Sequence, residues 1–314
     1  MPRTSARRRV WGADDAAGPM GPGCARVISG STRLAALIGS PARHSLSPAV
    51  LNAAFAAADA DWVYLAFEVP EGGGAAAVAA ARTLGIAGLS VTMPHKAAAH
   101  GAVDERTPVA AELGAVNCVY WHGDRLVGDN TDGAGFVDAL RLDGGVDPAG
   151  LRCVVVGAGG AGRAVARALG EVGAADVAVV NRSPEPAARA AALAGPRGRV
   201  GDHRDLGAAD LVVNATSLGM GIVTPTNGSP EPLPLDPATI HRGQVVVDLI
   251  YQPATTPLLA AARDRGAVAI NGLGMLIHQA AHQFRRWTGE DPALDAMSAA
   301  AVAELVRRTP RTAG

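Results

Sequence analysis

The chain has 314 residues, 48% hydrophobic and 18% charged, a globular composition long enough for two ordinary domains. Its formal net charge of -1 argues against a general polyanion-binding surface, and so against nucleic acid as a partner, while leaving room for a local basic pocket. No uninterrupted apolar stretch reaches the ~18 residues of a membrane span, and the three scattered cysteines, Cys24, Cys118 and Cys153, form no CxxC pair and fit a reducing cytoplasm.

Residues 1–30 begin with the positive charge of a signal peptide, but W-G-A-D-D-A-A-G-P-M-G-P-G breaks up the apolar core that should follow. They read as a disordered tail. A strand is predicted over 34–38, ending in Gly39-Ser40-Pro41, then a helix over 48–58 with Pro48 in its first turn. Residues 62–69 alternate like a strand, 75–84 read as a helix and 86–92 as another strand. A short helix is expected from Pro94. The segments 117–121 and 125–127 flank His122-Gly123-Asp124 as a hairpin, and 136–142 continue as a helix.

Residues 152–156 form a continuous apolar strand, as expected where both faces of a sheet are covered. A helix, a strand over 176–180, a helix, strands over 211–214 and 245–249, a helix and a strand over 267–270 follow. Alternating units of this kind predict a parallel, doubly wound sheet. Residues 224–237 hold five prolines and form a loop. Residues 273–308 read as wholly helical, in two pieces broken near Gly289-Glu290-Asp291-Pro292, and the chain has no solenoid-type repeat.

The segment V-V-V-G-A-G-G-A-G-R-A-V-A places Gly157, Gly159 and Gly162 as GxGxxG after a strand and at the start of a helix. The first glycine allows a tight turn, the second lets the backbone approach a pyrophosphate, and the third packs helix on strand. Gly157, Ala158, Gly159, Gly160, Ala161 and Gly162 are therefore candidate cofactor-binding residues. NAD-binding folds carry an acid about 20 residues on, for the ribose 2′-hydroxyl. Here Asn181, Arg182 and Ser183 stand there instead. An arginine pairs with a 2′-phosphate, which favours NADP.

Four polar clusters stand at strand ends or loop starts: Ser45 and Ser47; Ser90 to Lys96 with Thr92; Asn117; and Asp129-Asn130-Thr131-Asp132. Together they suit a polyhydroxylated small molecule with a carboxylate. Singly, each has a structural explanation. Ser47 before Pro48 fits an N-cap, Asn117 a turn, and Thr131 or Asp132 a cap for the next helix. A calcium loop starting at Asp129 would put Thr131 at position 3, Gly133 at position 5 and Leu140 at position 12, so a metal site is not expected. A cap or an acid/base partner remains for Asp132.

In order, H-S-L-S-P, V-T-M-P-H-K, G-A-V-N, G-D-N-T-D-G, G-A-G-G-A-G, N-R-S, N-A-T-S, D-L-I-Y-Q and N-G-L-G-M-L-I-H-Q-A resemble the shikimate dehydrogenase family over about residues 33 to 290. The resemblance implies a two-domain α/β chain: a tail over 1–30, an α/β substrate domain over 31–131, a Rossmann cofactor domain with a doubly wound parallel sheet over 132–270, and helices over 271–309 returning to the substrate domain. It implies an NADP-dependent, metal-free oxidoreductase interconverting 3-dehydroshikimate and shikimate, in the cytoplasm, within chorismate and aromatic amino-acid biosynthesis. By motif position Lys96 and Asp132 match the catalytic pair. Ser45, Ser47, Thr92, Lys96, Asn117, Asp132, Tyr251 and Gln279 match substrate-binding positions. Gly157 to Gly162, Asn181 to Ser183, Leu249, Gly272 and Met275 match positions lining the cofactor. The implied partner is a small molecule, neither nucleic acid nor membrane, and a homodimer is compatible with the resemblance. Two departures stand out. Ser90 occupies a place where the family usually has Asn, and Pro186 stands where a second basic residue often follows, which predicts a milder cofactor preference.

In such an enzyme a lysine beside the carbonyl steadies the developing alkoxide, and a neighbouring carboxylate orients the ammonium. Hydroxyls of Ser45 and Ser47 suit the substrate carboxylate; Asn117, Asp132 and Gln279 suit ring hydroxyls. Quinate or an amino analogue of shikimate is the alternative substrate. A non-catalytic nucleotide-sensing protein on the same fold is the more distant alternative, hard to reconcile with both Lys96 and Asp132.

Overall fold

The computed structural model describes residues 27–220 and 233–308. Most of the predicted tail over 1–30 and of the proline-rich loop over 224–237 lies outside them.

The first half runs β1 (Arg33–Gly39), α1 (Ser47–Ala57), β2 (Trp62–Glu68), α2 (Gly74–Leu84), β3 (Gly88–Val91), α3 (Lys96–Ala102), β4 (Glu105–Arg106), α4 (Pro108–Leu113), β5 (Cys118–His122) and β6 (Arg125–Asp129). These strands form one sheet in the order β2-β1-β3-β5-β6-β4. β1 is parallel to β2 and β3, whereas β5 is antiparallel to β3 and β6. Ile38 pairs with Val91, Ser90 with Cys118, and Cys118 with Asp129. The ends of β1, β3 and β6 and the start of β5 therefore share one edge. That edge carries the loops holding Ser45, Thr92, Asn117 and Asp132.

Some elements differ from the sequence reading. The helix expected from Pro94 begins at Lys96. α4 went unpredicted, although Thr107 caps it by accepting the Ala110 N–H and Pro108 opens it. The helix expected over 136–142 begins earlier, as α5 (Asp132–Asp138), and widens into a π-helical stretch over Ala139–Asp143. Its first turn, D-G-A-G, carries no apolar periodicity because it is pared down for close packing. A Cβ on Gly135 would lie 2.4 Å from the Gln279 nitrogen, and one on Gly133 2.8 Å from the Ala164 carbonyl oxygen.

The second half runs β7 (Arg152–Val156), α6 (Gly160–Glu171), β8 (Asp176–Val180), α7 (Pro184–Ala192), β9 (Gly198–Val200), α8 (His203–Leu206), β10 (Leu211–Asn214), β11 (Val245–Asp248), α9 (Pro257–Asp264) and β12 (Val268–Asn271). The second sheet is wholly parallel, in the order β12-β11-β10-β7-β8-β9. Strand order reverses between β7 and β10, the switch point at which such sheets bind ligands. The continuous apolar run of β7 divides between two cores: Cys153 and Val155 pack with Phe136, Val165 and Leu169, while Val154 and Val156 pack with Leu258 and Leu259. β9 escaped the sequence reading because its three residues, Gly-Arg-Val, carry no pattern at a sheet edge.

The chain then returns to the first sheet. α10 (Leu273–Thr288) and α11 (Leu294–Arg308) place Ile277, Ala281, Phe284, Met297 and Ala301 in the core around Leu51 and Phe55. Phe55 stacks on Trp62 at 5.2 Å and meets Phe284 at 5.3 Å. Burying a phenylalanine fully is worth about 2 kcal/mol, so this return is anchored by hydrophobic contact. The Trp287 indole donates to the Val119 carbonyl at 3.0 Å. Trp287 lies where Gly88 in β3 lacks a side chain.

Candidate active site

Lys96 opens α3 and Asp132 opens α5, so both stand at the first turn of a helix leaving the shared edge. The Lys96 ammonium donates to Asp132 Oδ2 at 2.5 Å, with side-chain exposures of 20% and 9%. Asn117, just before β5, donates through Nδ2 to Asp132 Oδ1 at 2.7 Å and to Thr131 Oγ1 at 3.1 Å. Both carboxylate oxygens of Asp132 thus have fixed partners. Such a pair keeps its charges where they are largely out of water because each charge is hydrogen-bonded.

The polar residues preceding Asp132 go separate ways. Asp129 Oδ1 accepts from Thr107 Oγ1 at 2.6 Å and from the Asn130 N–H at 2.8 Å, and its Oδ2 accepts from Arg286 Nε at 2.9 Å. Asn130 donates to the Ala115 carbonyl and accepts the Asp132 N–H. Thr131 Oγ1 bonds the Gln279 carbonyl at 3.1 Å. Thr131 is the N-cap position of α5 by backbone geometry, yet no side-chain cap bond forms there. The capping explanation for Thr131 or Asp132 is therefore replaced by a network that braces one carboxylate. Asn117 is likewise more than a turn residue, since it ties β5 to that carboxylate.

α10 supplies the far wall. Gln279 donates to the Leu276 carbonyl at 2.9 Å and accepts from Gln283 Nε2 at 2.8 Å. Gln283, only 1% exposed, also donates to the Asn117 carbonyl at 3.2 Å and accepts from Ser90 Oγ at 2.5 Å. Gln283 did not emerge from the sequence reading. Its signal is the spacing of four from Gln279 on one helical face. Ser90, which opens one of the four polar clusters and departs from the family pattern, fixes the orientation of the Gln283 amide.

Ser45, Ser47, Thr92 and Tyr251 lie outside this hydrogen-bonded group. Ser45 Oγ accepts the Ser47 N–H at 3.1 Å. The position before α1 is Leu46, without a side-chain cap bond, so Ser47 is the first helical residue and not the cap expected of it. The Thr92 methyl sits where a Cβ on Gly39 would come within 2.2 Å, which brings the end of β1 against the loop after β3. Tyr251 packs against the core around Phe55, and burial pushes its phenol pKa up.

The nucleotide-type cradle lies at the switch point of the second sheet. Gly157 adopts φ 105°, the left-handed region that only glycine takes easily. A Cβ on Gly162 would lie 2.0 Å from the Gly157 carbonyl oxygen, so turn and helix are in closest approach. Nothing lies within 4 Å of a Cβ built on Gly159 or Gly160, which leaves open space at the start of the 12-residue α6. Asn181 ties this loop to the end of β8, its Oδ1 accepting the Ala158 N–H at 3.3 Å and its Nδ2 donating to the Ser183 carbonyl at 3.0 Å. Arg182 is exposed and makes no ion pair or hydrogen bond among the described residues. Open backbone donors, a helix N-terminus and an uncommitted guanidinium fit a dinucleotide with a further phosphate. Ala158, Leu249 and Met275 each pack against the core that holds Cys153 and Val155, and a Cβ on Gly272 would lie 2.0 Å from the Leu249 carbonyl oxygen.

Comparison with known proteins points to one family. Residues 37–119 match the family model for the shikimate dehydrogenase substrate binding domain, and residues 272–302 that for the shikimate 5'-dehydrogenase C-terminal domain. The shikimate dehydrogenase (NADP(+)) of Moorella thermoacetica is 46% identical over 274 residues, covering 84% of this chain and 90% of that protein. A crystal structure of a shikimate dehydrogenase in complex with NADP+ superposes with a TM-score of 0.82 at 35% identity, covering 92% of this chain and 99% of the other. The enzyme of Thermus thermophilus in complex with NADP(H) and shikimate gives 0.78 at 36% identity, covering 86% and 99%.

Proposed function

The chain belongs to the shikimate dehydrogenase family, and from that premise we propose how its residues carry out the NADP-dependent interconversion of shikimate and 3-dehydroshikimate. The observation that carries the reading is the Lys96–Asp132 pair, 2.5 Å apart and braced by Asn117. Bound NADPH supplies the hydride to the ketone carbon. Lys96 donates to the ketone oxygen, stabilises the negative charge growing there and releases a proton to it. Asp132 holds the ammonium in place and, in the oxidative direction, helps draw the hydroxyl proton back. Its charge also keeps a cationic lysine stable in a site with little water.

Asn117, Asp132 and Gln279 take ring hydroxyls. Ser45 and Ser47, with Tyr251, take the carboxylate, and Thr92 lines the same edge. Gly157 to Gly162 receive the pyrophosphate, Arg182 with Asn181 and Ser183 holds the 2′-phosphate, and Leu249, Gly272 and Met275 line the remainder. The division into a substrate domain over 31–131, a cofactor domain over 132–270 and returning helices over 271–309 follows from these roles. We place the activity in the cytoplasm, in chorismate and aromatic amino-acid biosynthesis. The buried, unpaired Cys118 and Cys153 support a reducing compartment. No helix among the described residues is long and apolar enough to cross a membrane.

Absorbance at the NADPH band tests the reading, with shikimate and quinate each offered NADP and NAD. Shikimate with NADP should give the highest kcat/KM. A higher value with quinate, or equal values for both cofactors, would overturn the corresponding part.

A further inference from the structure

Arg308, the last residue of α11, reaches back across the first sheet's edge. Its Nη1 donates to the His44 carbonyl at 2.6 Å and its Nη2 to the Ser45 carbonyl at 3.1 Å. Its Nε donates to Glu304 Oε1 at 2.8 Å. The side chain is 19% exposed. A guanidinium has five N–H donors, so two make no bond among the described residues. The same loop is closed internally by the Ser45 hydroxyl on the Ser47 N–H. Fixing the Ser45 carbonyl therefore fixes both serines.

The last turns of α11 carry a net positive charge. Glu304 is shared by Arg307 and Arg308, whose bonds hold its carboxyl down to about 2, so one anion faces two cations. Tyr251 feels the Arg308 charge. Burial raises its phenol, and the nearby Arg308 charge pulls it back down. Arg308 thus touches the Ser45 loop directly, and its charge also reaches Tyr251.

We propose that Arg308 is a specificity-determining residue of the substrate site: it clamps the serine loop from the C-terminal helix and supplies the positive charge that selects a substrate carboxylate over a neutral group. The inference rests on the reading of Ser45 and Ser47 as the carboxylate end. An arginine suits the task because its planar fork serves two loop carbonyls and keeps its charge at any working pH.

The test compares KM for shikimate with the inhibition constant of its analogue bearing a primary alcohol in place of the carboxylate. Native enzyme, Arg308→Gln, Arg308→Lys and Ser45→Ala are measured side by side. Arg308→Gln keeps an amide donor for the loop but no charge. It should raise KM for shikimate roughly fivefold or more while moving the alcohol's constant by less than about twofold. Arg308→Lys should recover most of the carboxylate preference. A loss of equal size for both ligands in Arg308→Gln would make the residue a loop clamp alone and overturn the proposal. Unchanged preference in Arg308→Gln beside a raised KM in Ser45→Ala overturns this inference and leaves the site reading standing. An unchanged KM in Ser45→Ala overturns the carboxylate reading, and the inference with it.

Discussion

Lys96 and Asp132 are separated by 36 positions in sequence and by 2.5 Å between Nζ and Oδ2. In the proposed mechanism the two act together, since a lysine without its carboxylate is poorly aimed and a carboxylate without its lysine is an unpaired charge largely out of water. Lys96→Ala should lower kcat by roughly 10²–10⁴, the loss typical of an acid/base group, with NADP binding retained. Asp132→Asn should cost rate and raise KM for shikimate, because the amide cannot accept from both Lys96 and Asn117. The double variant should be little worse than the worse single one, as expected of groups acting as a unit. Near-native turnover in Lys96→Ala would remove the pair from the mechanism. In the second half of the chain, the exposed guanidinium of Arg182 stands where an acid would serve NAD. Arg182→Asp should weaken NADP by roughly ten- to a hundredfold, the worth of a charge-assisted pair, and NAD far less. Titrating both cofactors by fluorescence decides it; equal losses would mean a general effect on the loop.

At the scale of elements, what was legible was periodicity and what was hidden was close packing. β7, β8 and β10 were predicted with the bounds they have, because strands buried on both faces are continuous in Val and Leu. The start of α5 was missed because Gly133 and Gly135 replace the apolar residues that would announce a helix. α4 and β9 are too short to carry a period. The site shows the same division. Lys96, Asp132, Asn117 and Gln279 stand in motifs, whereas Gln283 is marked only by its spacing from Gln279 and Arg308 bonds backbone carbonyls, which leave no local mark in sequence. The α5–α10 contact offers a direct test. A Cβ on Gly135 would lie 2.4 Å from the Gln279 nitrogen and 2.7 Å from its Cα, both backbone atoms of a packed helix. Gly135→Ala should therefore push α10 outward and cost about 1–3 kcal/mol, as overpacking does. It should also raise KM for shikimate, since Gln279 moves with its backbone. A thermal melt and a substrate titration read the two effects; an unchanged melt with unchanged KM would show that the helices are not in this register.

At the scale of the whole molecule, the chain leaves the first sheet at Asp132, builds the second, and returns through α10 to pack on the first. The second sheet's C-terminal edge then has to hold polar groups in a dry setting, and Asp248 is the extreme case at 0% exposure. It accepts from Asn214 Nδ2 at 2.9 Å, Thr256 Oγ1 at 2.7 Å and the Ile250 N–H at 3.2 Å. These bonds favour the carboxylate, but burial outweighs them and raises the pKa above the ordinary aspartate range. The folded chain therefore binds this proton more tightly than the unfolded chain does. The associated stability is complete below the unfolded value of about 3.9 and is lost as pH rises through the higher folded value. Asp248→Asn removes that loss. Its amide oxygen keeps the Asn214 and Ile250 donors, and the Thr256 hydroxyl rotates to accept. The Tm of the variant relative to the native protein should climb as pH is raised from about 4 and level off once Asp248 is fully ionised. A relative Tm that falls over the same range would mean that the three donors outweigh burial and that the native fold prefers the carboxylate.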